Sequence, residues 1–360
     1  MKTLTDKPKG GGKRFLWSLL FLLIAALSVY AVGSQSKGFS PKHFLEYIDN
    51  NNPWWLLAAV LAMLAYIGFD AVMVGTLLRG FGYPKSHPKC ISYAAADLYF
   101  SAITPSATGG QPMEAYFMTK DGVPGVISTV VMLTYLLLYT LSIVIIGLVC
   151  LLVFPSSFMA FGTVGRIFIA VGAVIQLGLA VFYALLLWKK RLLLRLCDFG
   201  LRLLAKLHII HNLEAREDKL RETMVQYSQA TELLKGKRKL LVKTLLLNLA
   251  HRVSQILVTV FCFLAGHGSL GCAPKLFAMQ SNVVIGAYCI PIPGSMGVTD
   301  FLMLDGFSTL MSEQQAANLE LLARGLSFYI CILLCGIIVL IKFALMRIRE
   351  NRMLRHQASE

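Results

Sequence analysis

Long apolar runs, each bounded by charged or Pro/Gly-rich segments, organise the chain. Residues 15–32, 125–154 and 167–188 carry no charged side chain, and 53–78, 240–264 and 325–345 are comparably long with only isolated charges. Each reaches or approaches the ~20 residues that cross a ~30 Å hydrocarbon layer as a helix. The run at 15–32 follows Lys13 and Arg14 in the manner of a signal peptide. Its apolar core exceeds the usual ~7–15 residues of such a peptide, so a retained first span is expected.

Two further apolar regions are interrupted. Residues 91–104 stop at a break containing Pro105, Gly109 and Gly110 and resume over 111–119; residues 276–290 stop at Pro291, Pro293, Gly294 and Gly297 and resume over 298–310. An arm of about 14 residues rises only about 21 Å as a helix, short for a full crossing. Each pair of arms therefore reads as a re-entrant hairpin. Both breaks are followed within four residues by a carboxylate, Glu114 in one and Asp300 in the other.

Charge then fixes the direction. The formal net charge is +15, from 34 Lys+Arg against 19 Asp+Glu. In a soluble protein that excess would point to nucleic acid. Here 26 of the 34 fall before residue 15, around Arg79–Lys89, between 188 and 240, and from Lys342 onward. Short basic loops mark the cytoplasmic side, which places both termini inside and makes 91–119 enter and leave from the cytoplasm. Residues 312–320 are acidic, which places that segment outside and makes 276–310 enter and leave from the exterior. The predicted fold is an all-α polytopic membrane protein with about six full spans plus two re-entrant helical hairpins in an inverted repeat, N-in and C-in. Eight spans, with tilted crossings at the breaks, is the alternative. The segments are a basic N-terminus (1–14), a first membrane repeat (15–154), a second (166–347) interrupted by a basic helical loop (189–239), and a tail (348–360). Inverted repeats with broken helices at mid-membrane recur among transporters.

Composition agrees. The chain is 56% hydrophobic and 15% charged, with a mean hydropathy of +0.66; soluble domains average about 25% charged residues, and single soluble cores stop growing near ~250–300 residues. The eight cysteines form no CxxC motif and read as packing residues. There is no HExxH, Walker A, GxSxG or Cys/His cluster, so no catalytic residue, metal or cofactor is expected.

Irregular backbone at membrane depth requires protein or a wet cavity to satisfy it, so the two breaks predict a polar cavity. Half-helices starting at Gln111 and Val298 would point their positive ends into it, suiting phosphate or carboxylate. Capping competes with a pathway role for Glu114 and Asp300. Within 240–264, Thr244, Asn248, His251, Arg252, Gln255 and Thr259 share one helical face. Arg252 lies about halfway along, where a charge costs at least ~2.5–3.5 kcal/mol. It is expected to receive an anionic headgroup, with pairing to Asp97 or Glu114 for structural reasons as the competing reading. His251 is read more weakly. Tyr93, Asp97, Ser101 and Thr104 share a face of the first arm, with Asp97 either the counter-ion of Arg252 or a proton-coupling carboxylate. Asp70 and Tyr66 form a fainter pair placed near the cytoplasmic interface. Residues 189–210 alternate basic residues with leucine and either lie on anionic inner-leaflet lipid or simply extend a helix into solvent.

The stretches TPSATGGQPMEAYFM (104–118), YCIPIPGSMGVTDFLM (288–303) and AHRVSQ (250–255) resemble the lysylphosphatidylglycerol synthase transmembrane region, the flippase-like domain of the bacterial multiple peptide resistance factor, over about residues 10–350. Two departures stand out: Asp300 replaces the second motif's Glu, and Ser295 stands where a further Gly is usual. The resemblance implies a multi-pass protein of the bacterial cytoplasmic membrane that moves lysyl-phosphatidylglycerol or related lipids between leaflets and helps resist cationic peptides. Full-length members add a soluble aminoacyl-tRNA-dependent transferase domain. This chain ends about 15 residues past its last predicted span, so a flippase or lipid-binding transporter is expected rather than the lysyltransferase enzyme the family name suggests. Expected partners are a phospholipid substrate bound by Arg252, His251, Asn248, Gln255, Asp97, Glu114, Asp300 and Tyr93, and a separate lipid-modifying enzyme. No nucleic acid is expected. A non-transporting, lipid-presenting role and a homo-oligomer stay open.

Overall fold

The computed structural model describes residues 50–104, 107–206, 213–290, 292–295 and 297–357. The first predicted span (15–32), Pro105 and Pro291 lie outside them. Among the described residues the protein is all-helical, and five helices are long and apolar enough to cross a membrane. These are α1 (Pro53–Gly80), α4 (Gly125–Val153), α6 (Thr163–Trp188), α9 (Arg238–Ala265) and a composite helix at the C-terminal end. The five coincide with the five predicted spans that fall on described residues. The chain is a polytopic helical membrane protein.

Helices α1 and α9 form an antiparallel pair along their whole length. Asn52 opens α1, its side chain accepting from Trp54 N (3.0 Å) ahead of Pro53 in the first turn. At the same end, Asn52 N donates to Ala265 O (2.9 Å). At the other end Lys237 Nζ donates to Gly80 O (2.5 Å), and midway His251 meets Tyr66. Arg252 is therefore central along α9, as its sequence position predicts.

The interrupted regions are pairs of short helices. Helices α2 (His87–Ile103) and α3 (Gly110–Lys120) fold back on one another. Tyr93 Oη donates to Asp121 Oδ2 (2.7 Å) and Lys85 Nζ to Asp121 O (2.9 Å), so the start of α2 and the end of α3 meet. Near the turn, Gly109 N donates to Thr104 Oγ1 (2.9 Å). A Cβ on Gly110 would run into the Asp97 carbonyl, so the close approach of α3 to α2 requires glycine there. After α4 come a short helix α5 (Pro155–Met159), then α6, α7 (Lys190–Lys206) and α8 (Leu213–Glu232). The second pair is α10 (Ala273–Gly286) and α11 (Val298–Phe307), separated by a 3-10 turn at Pro293–Ser295. Asn282 of α10 bonds Ser157 (3.2 Å) and Asp305 of α11 accepts from Gly162 N (2.9 Å), so this pair is anchored on the α5–α6 connection.

The acidic segment 312–320 forms the start of α12 (Glu313–Arg324). Ser312 caps it, accepting from Gln315 N (3.3 Å). The capping pattern S-x-x-Q that starts this helix is legible in the sequence. Helix α12 runs through a π-turn (Gly325–Ile330) into α13 (Cys331–Gln357).

Lys342 of α13 reaches Asp121 at 2.6 Å, and Lys89 stands 3.7 Å from the same carboxylate, which is 3% exposed. Burial works against the charged form of Asp121, but the hydrogen bonds from Lys342 and Tyr93 and the two ammonium charges outweigh it and hold the carboxyl below its usual range. Because its folded value is depressed, the stabilisation is complete above the unfolded value of ~3.9 and is lost as pH falls through the lower folded value. Asp121→Asn should lower stability at pH 7 by about 3–5 kcal/mol, the usual cost of leaving a buried ion unpaired. The gap from the native protein should close below about pH 4. Thermal unfolding of the two proteins across pH checks this. Elsewhere, Gly172 of α6 faces the backbone of α10, and its Cβ would sit 3.1 Å from Gly286 Cα and closer still to the Ile285 carbonyl. Small residues let membrane helices approach in this way. Gly172→Val should destabilise by about 1–3 kcal/mol through overpacking, read as a lowered unfolding midpoint in detergent.

Candidate functional site

A cavity of about 660 Å³ lies at the centre of the helices, walled by α1, α2, α4, α6, α9 and α10, by both interrupted turns, and by the π-turn with α13. Its size falls within the ~300–1,000 Å³ range of small-molecule sites. Ala107 and Thr108 line it from the first turn, and Gly294 and Ser295 from the second. Gln111 and Thr299 contribute from the first turns of α3 and α11, so both short helices begin at the cavity. The turns depend on left-handed backbone: Ala107 (φ 54°) in the first, Gly294 (60°), Ser295 (50°) and Gly297 (80°) in the second. Ser295 thus adopts a conformation that favours glycine.

Arg252 is 2% exposed and lines the cavity with Gln255 and His251. One of its N–H groups donates to the Gln255 side-chain Oε1, and its guanidinium lies 4.6 Å from the Tyr139 ring centre. Nε and Nη2 have no hydrogen-bond partner. Tyr139 in turn shares a 2.5 Å hydrogen bond with Tyr288. Stacking a desolvated guanidinium on an aromatic face contributes about 2 kcal/mol, part of what its burial costs, and leaves two donors available. His251 stacks on Tyr66 at 4.2 Å and bonds the Tyr66 carbonyl through Nδ1 (2.9 Å); Nε2 is unpartnered. A carbonyl only accepts, so Nδ1 carries the hydrogen.

Asp97 also lines the cavity but is not the counter-ion of Arg252. Among the described residues no carboxylate stands within ion-pair distance of Arg252. Asp97 instead accepts from Ser101 (3.1 Å), Gln111 (2.9 Å) and Tyr135 (3.2 Å). Other expectations also change. Tyr93 sits apart from the cavity, engaged with Asp121, because it lies one turn nearer the start of α2 than Asp97. Asn248 is buried beside Thr244, to whose carbonyl it donates at 3.4 Å, and does not line the cavity. Asp300 does act as a cap, its Oδ2 accepting from Gly297 N (2.9 Å), while its Oδ1 pairs with Arg324 Nε (3.0 Å). Glu114 caps nothing: α3 starts at Gly110, which puts Glu114 past the first turn, fully buried with both oxygens unpartnered. Asp70, placed near an interface by the sequence, lies within about one turn of the middle of α1 and is fully buried.

Several lining residues escaped the sequence reading. Tyr135 and Tyr139 are one turn apart in a run read only as apolar, and that spacing was a usable signal. Arg324, 7% exposed, stacks on Phe328 (4.7 Å) and lies 3.4 Å from Gly294 O, tying α12 to the second turn. It was one of eight basic residues left over when loop charge had explained the rest.

No curated protein matches the chain. The family model described as the lysylphosphatidylglycerol synthase TM region matches residues 15–335, nearly the whole sequence and every wall of the cavity. With five apolar helices on the described residues, the match supports a multi-pass membrane protein with a lipid-related role. The chain belongs to the lysylphosphatidylglycerol synthase TM region family.

Proposed function

We propose that the protein moves a phospholipid with an anionic or aminoacylated headgroup, such as lysyl-phosphatidylglycerol, between the leaflets of a bacterial cytoplasmic membrane. The observation that carries this reading is Arg252, buried at mid-helix with two unpartnered donors facing a cavity between two interrupted turns. A phosphate oxygen supplies the missing acceptors, and the first-turn N–H groups of α3 and α11 add partial positive charge. Asp97, on the same cavity, suits the ammonium of an aminoacylated headgroup.

The orientation belongs to the same reading. Gly80, Lys85, Lys89, Asp121, Lys237 and Lys342 meet at one end of the helices through the contacts described above. That basic end is cytoplasmic by the positive-inside rule, with the second hairpin entering from outside as the inverted counterpart of the first. On α7, Arg191 and Arg195 are exposed beside Leu196 and Phe199, the last at 68% exposure, an arrangement suited to anionic inner-leaflet lipid. A separate enzyme would supply the modified lipid.

Arg252→Ala should slow transfer of fluorescent phosphatidylglycerol across proteoliposome membranes by at least about tenfold. That corresponds to one charge-assisted bond of ~1.5–3 kcal/mol. The variant should keep a native elution profile. Unchanged transfer would remove Arg252 from the pathway; lipid retained on the protein without any transfer would favour a lipid-presenting role instead.

A further inference from the structure

Near Asp97, but not lining the cavity, lie two carboxylates that the headgroup site does not use. Asp70 of α1 and Glu114 of α3 are each 0% exposed, and none of their four oxygens has a hydrogen-bond partner. Their placement follows from helix packing. Ala71 packs with Ala94 and Cys90 of α2, which sets Asp70 beside the Asp97 turn. Gly110 abuts Asp97, and Glu114 follows one turn later on the same face. The three carboxylates lie within electrostatic reach of one another.

The surroundings contain little to balance three negative charges. Tyr135 of α4 faces all three carboxylates and donates to Asp97. Cys90 and Tyr93 of α2 face Glu114, and Cys335 of α13 faces Asp70 and Asp97. Arg252 of α9 is the cation in electrostatic reach of Asp70, without forming an ion pair. The nearby Lys89 and Lys342 are committed to Asp121. Among the described residues no group of His, Cys, Asp and Glu has the geometry to hold a metal ion. An isolated buried carboxylate costs several kcal/mol to keep ionised, and a second one nearby adds repulsion, so such groups take up protons instead. Asp97 differs: three donors stabilise its charged form, and it alone of the three opens onto the cavity.

We propose that Asp70 and Glu114 form a proton-binding site that exchanges with the cavity through Asp97 and the Tyr135 hydroxyl, and that lipid movement is coupled to this exchange. In the proton-loaded form both are carboxylic acids. Loss of a proton from Asp70 or Glu114 breaks one O–H bond and leaves a carboxylate, while Asp97 gains the O–H and becomes neutral. Asp97 then releases the proton to cavity water, regaining its charge beside the headgroup. The coupling half of the proposal rests on the lipid-transport reading; the proton site does not.

Infrared spectroscopy of the purified full-length chain in lipid nanodiscs at pH 7 separates the two. Solvent-exposed carboxyls are ionised at that pH, so a protonated-carboxyl C=O band that shifts in D2O must come from buried acids. Measured in a Glu320→Gln background, because Glu320 is a further partly buried carboxyl, Asp70→Asn and Glu114→Gln, each nearly isosteric with the neutral acid, should each reduce it substantially. A native protein without the band overturns the site, as does a band unchanged in both variants. If neither variant folds, the band of the Glu320→Gln protein and its D2O shift decide alone. In proteoliposomes carrying fluorescent phosphatidylglycerol, a pH gradient should accelerate transfer several-fold over the same vesicles with a protonophore. Equal rates, or transfer driven by a sodium gradient at constant pH, overturn the coupling. Absence of transfer under every gradient with the band intact overturns the transport reading and leaves the proton site standing.

Discussion

A guanidinium held at the middle of a membrane helix, with donors left over, is the constraint around which this protein is built. Hydrocarbon offers no acceptors, so the helices must supply an aqueous or ligand-filled space at that depth. The antiparallel α1–α9 pair fixes the depth. Its ends are tied at Asn52–Ala265 and at Gly80–Lys237, which leaves Tyr66, His251 and Arg252 at the centre. Tyr139 covers one face of the guanidinium and Gln255 takes one N–H. The remaining donors are what the cavity exists to accommodate.

The two interrupted turns follow from the same requirement. Their backbone, with φ values of 50° to 80° at Ala107, Gly294, Ser295 and Gly297, would be untenable against lipid. It is tolerable because the turns line the cavity, where their polar groups find partners or water. Each turn is braced differently. The first is held by Thr104 and by the contact of Gly110 with Asp97. The second is braced by Asp300, which caps α11 and pairs with Arg324.

Much of this was legible in the sequence because hydropathy and helix length are properties of single segments. The five spans on described residues, the two short-helix pairs and the polar face containing His251, Arg252 and Gln255 all follow from local pattern. The pairings did not. Whether Asp97 meets Arg252 or Gln111, and whether Tyr93 faces the cavity or Asp121, depends on how α2 rotates against α3, α4 and α13, which no single segment encodes. Arg324 was obscured for a related reason. It stands at the start of an apolar run and read as a boundary, whereas the helix continues from Glu313 through the π-turn and carries it inward. Asp70, expected near the cytoplasmic interface, instead lies within about one turn of the middle of the 28-residue α1.

The Asp121 cluster has a mechanical consequence. It clamps the base of the α2–α3 hairpin to α13, while the far end of α2 rests against the 3-10 turn of the second pair. Helix α2 has 17 residues, a lever arm of about 25 Å. Helix α2 is thus a strut that ties the ion cluster at the base of the first hairpin to the turn of the second.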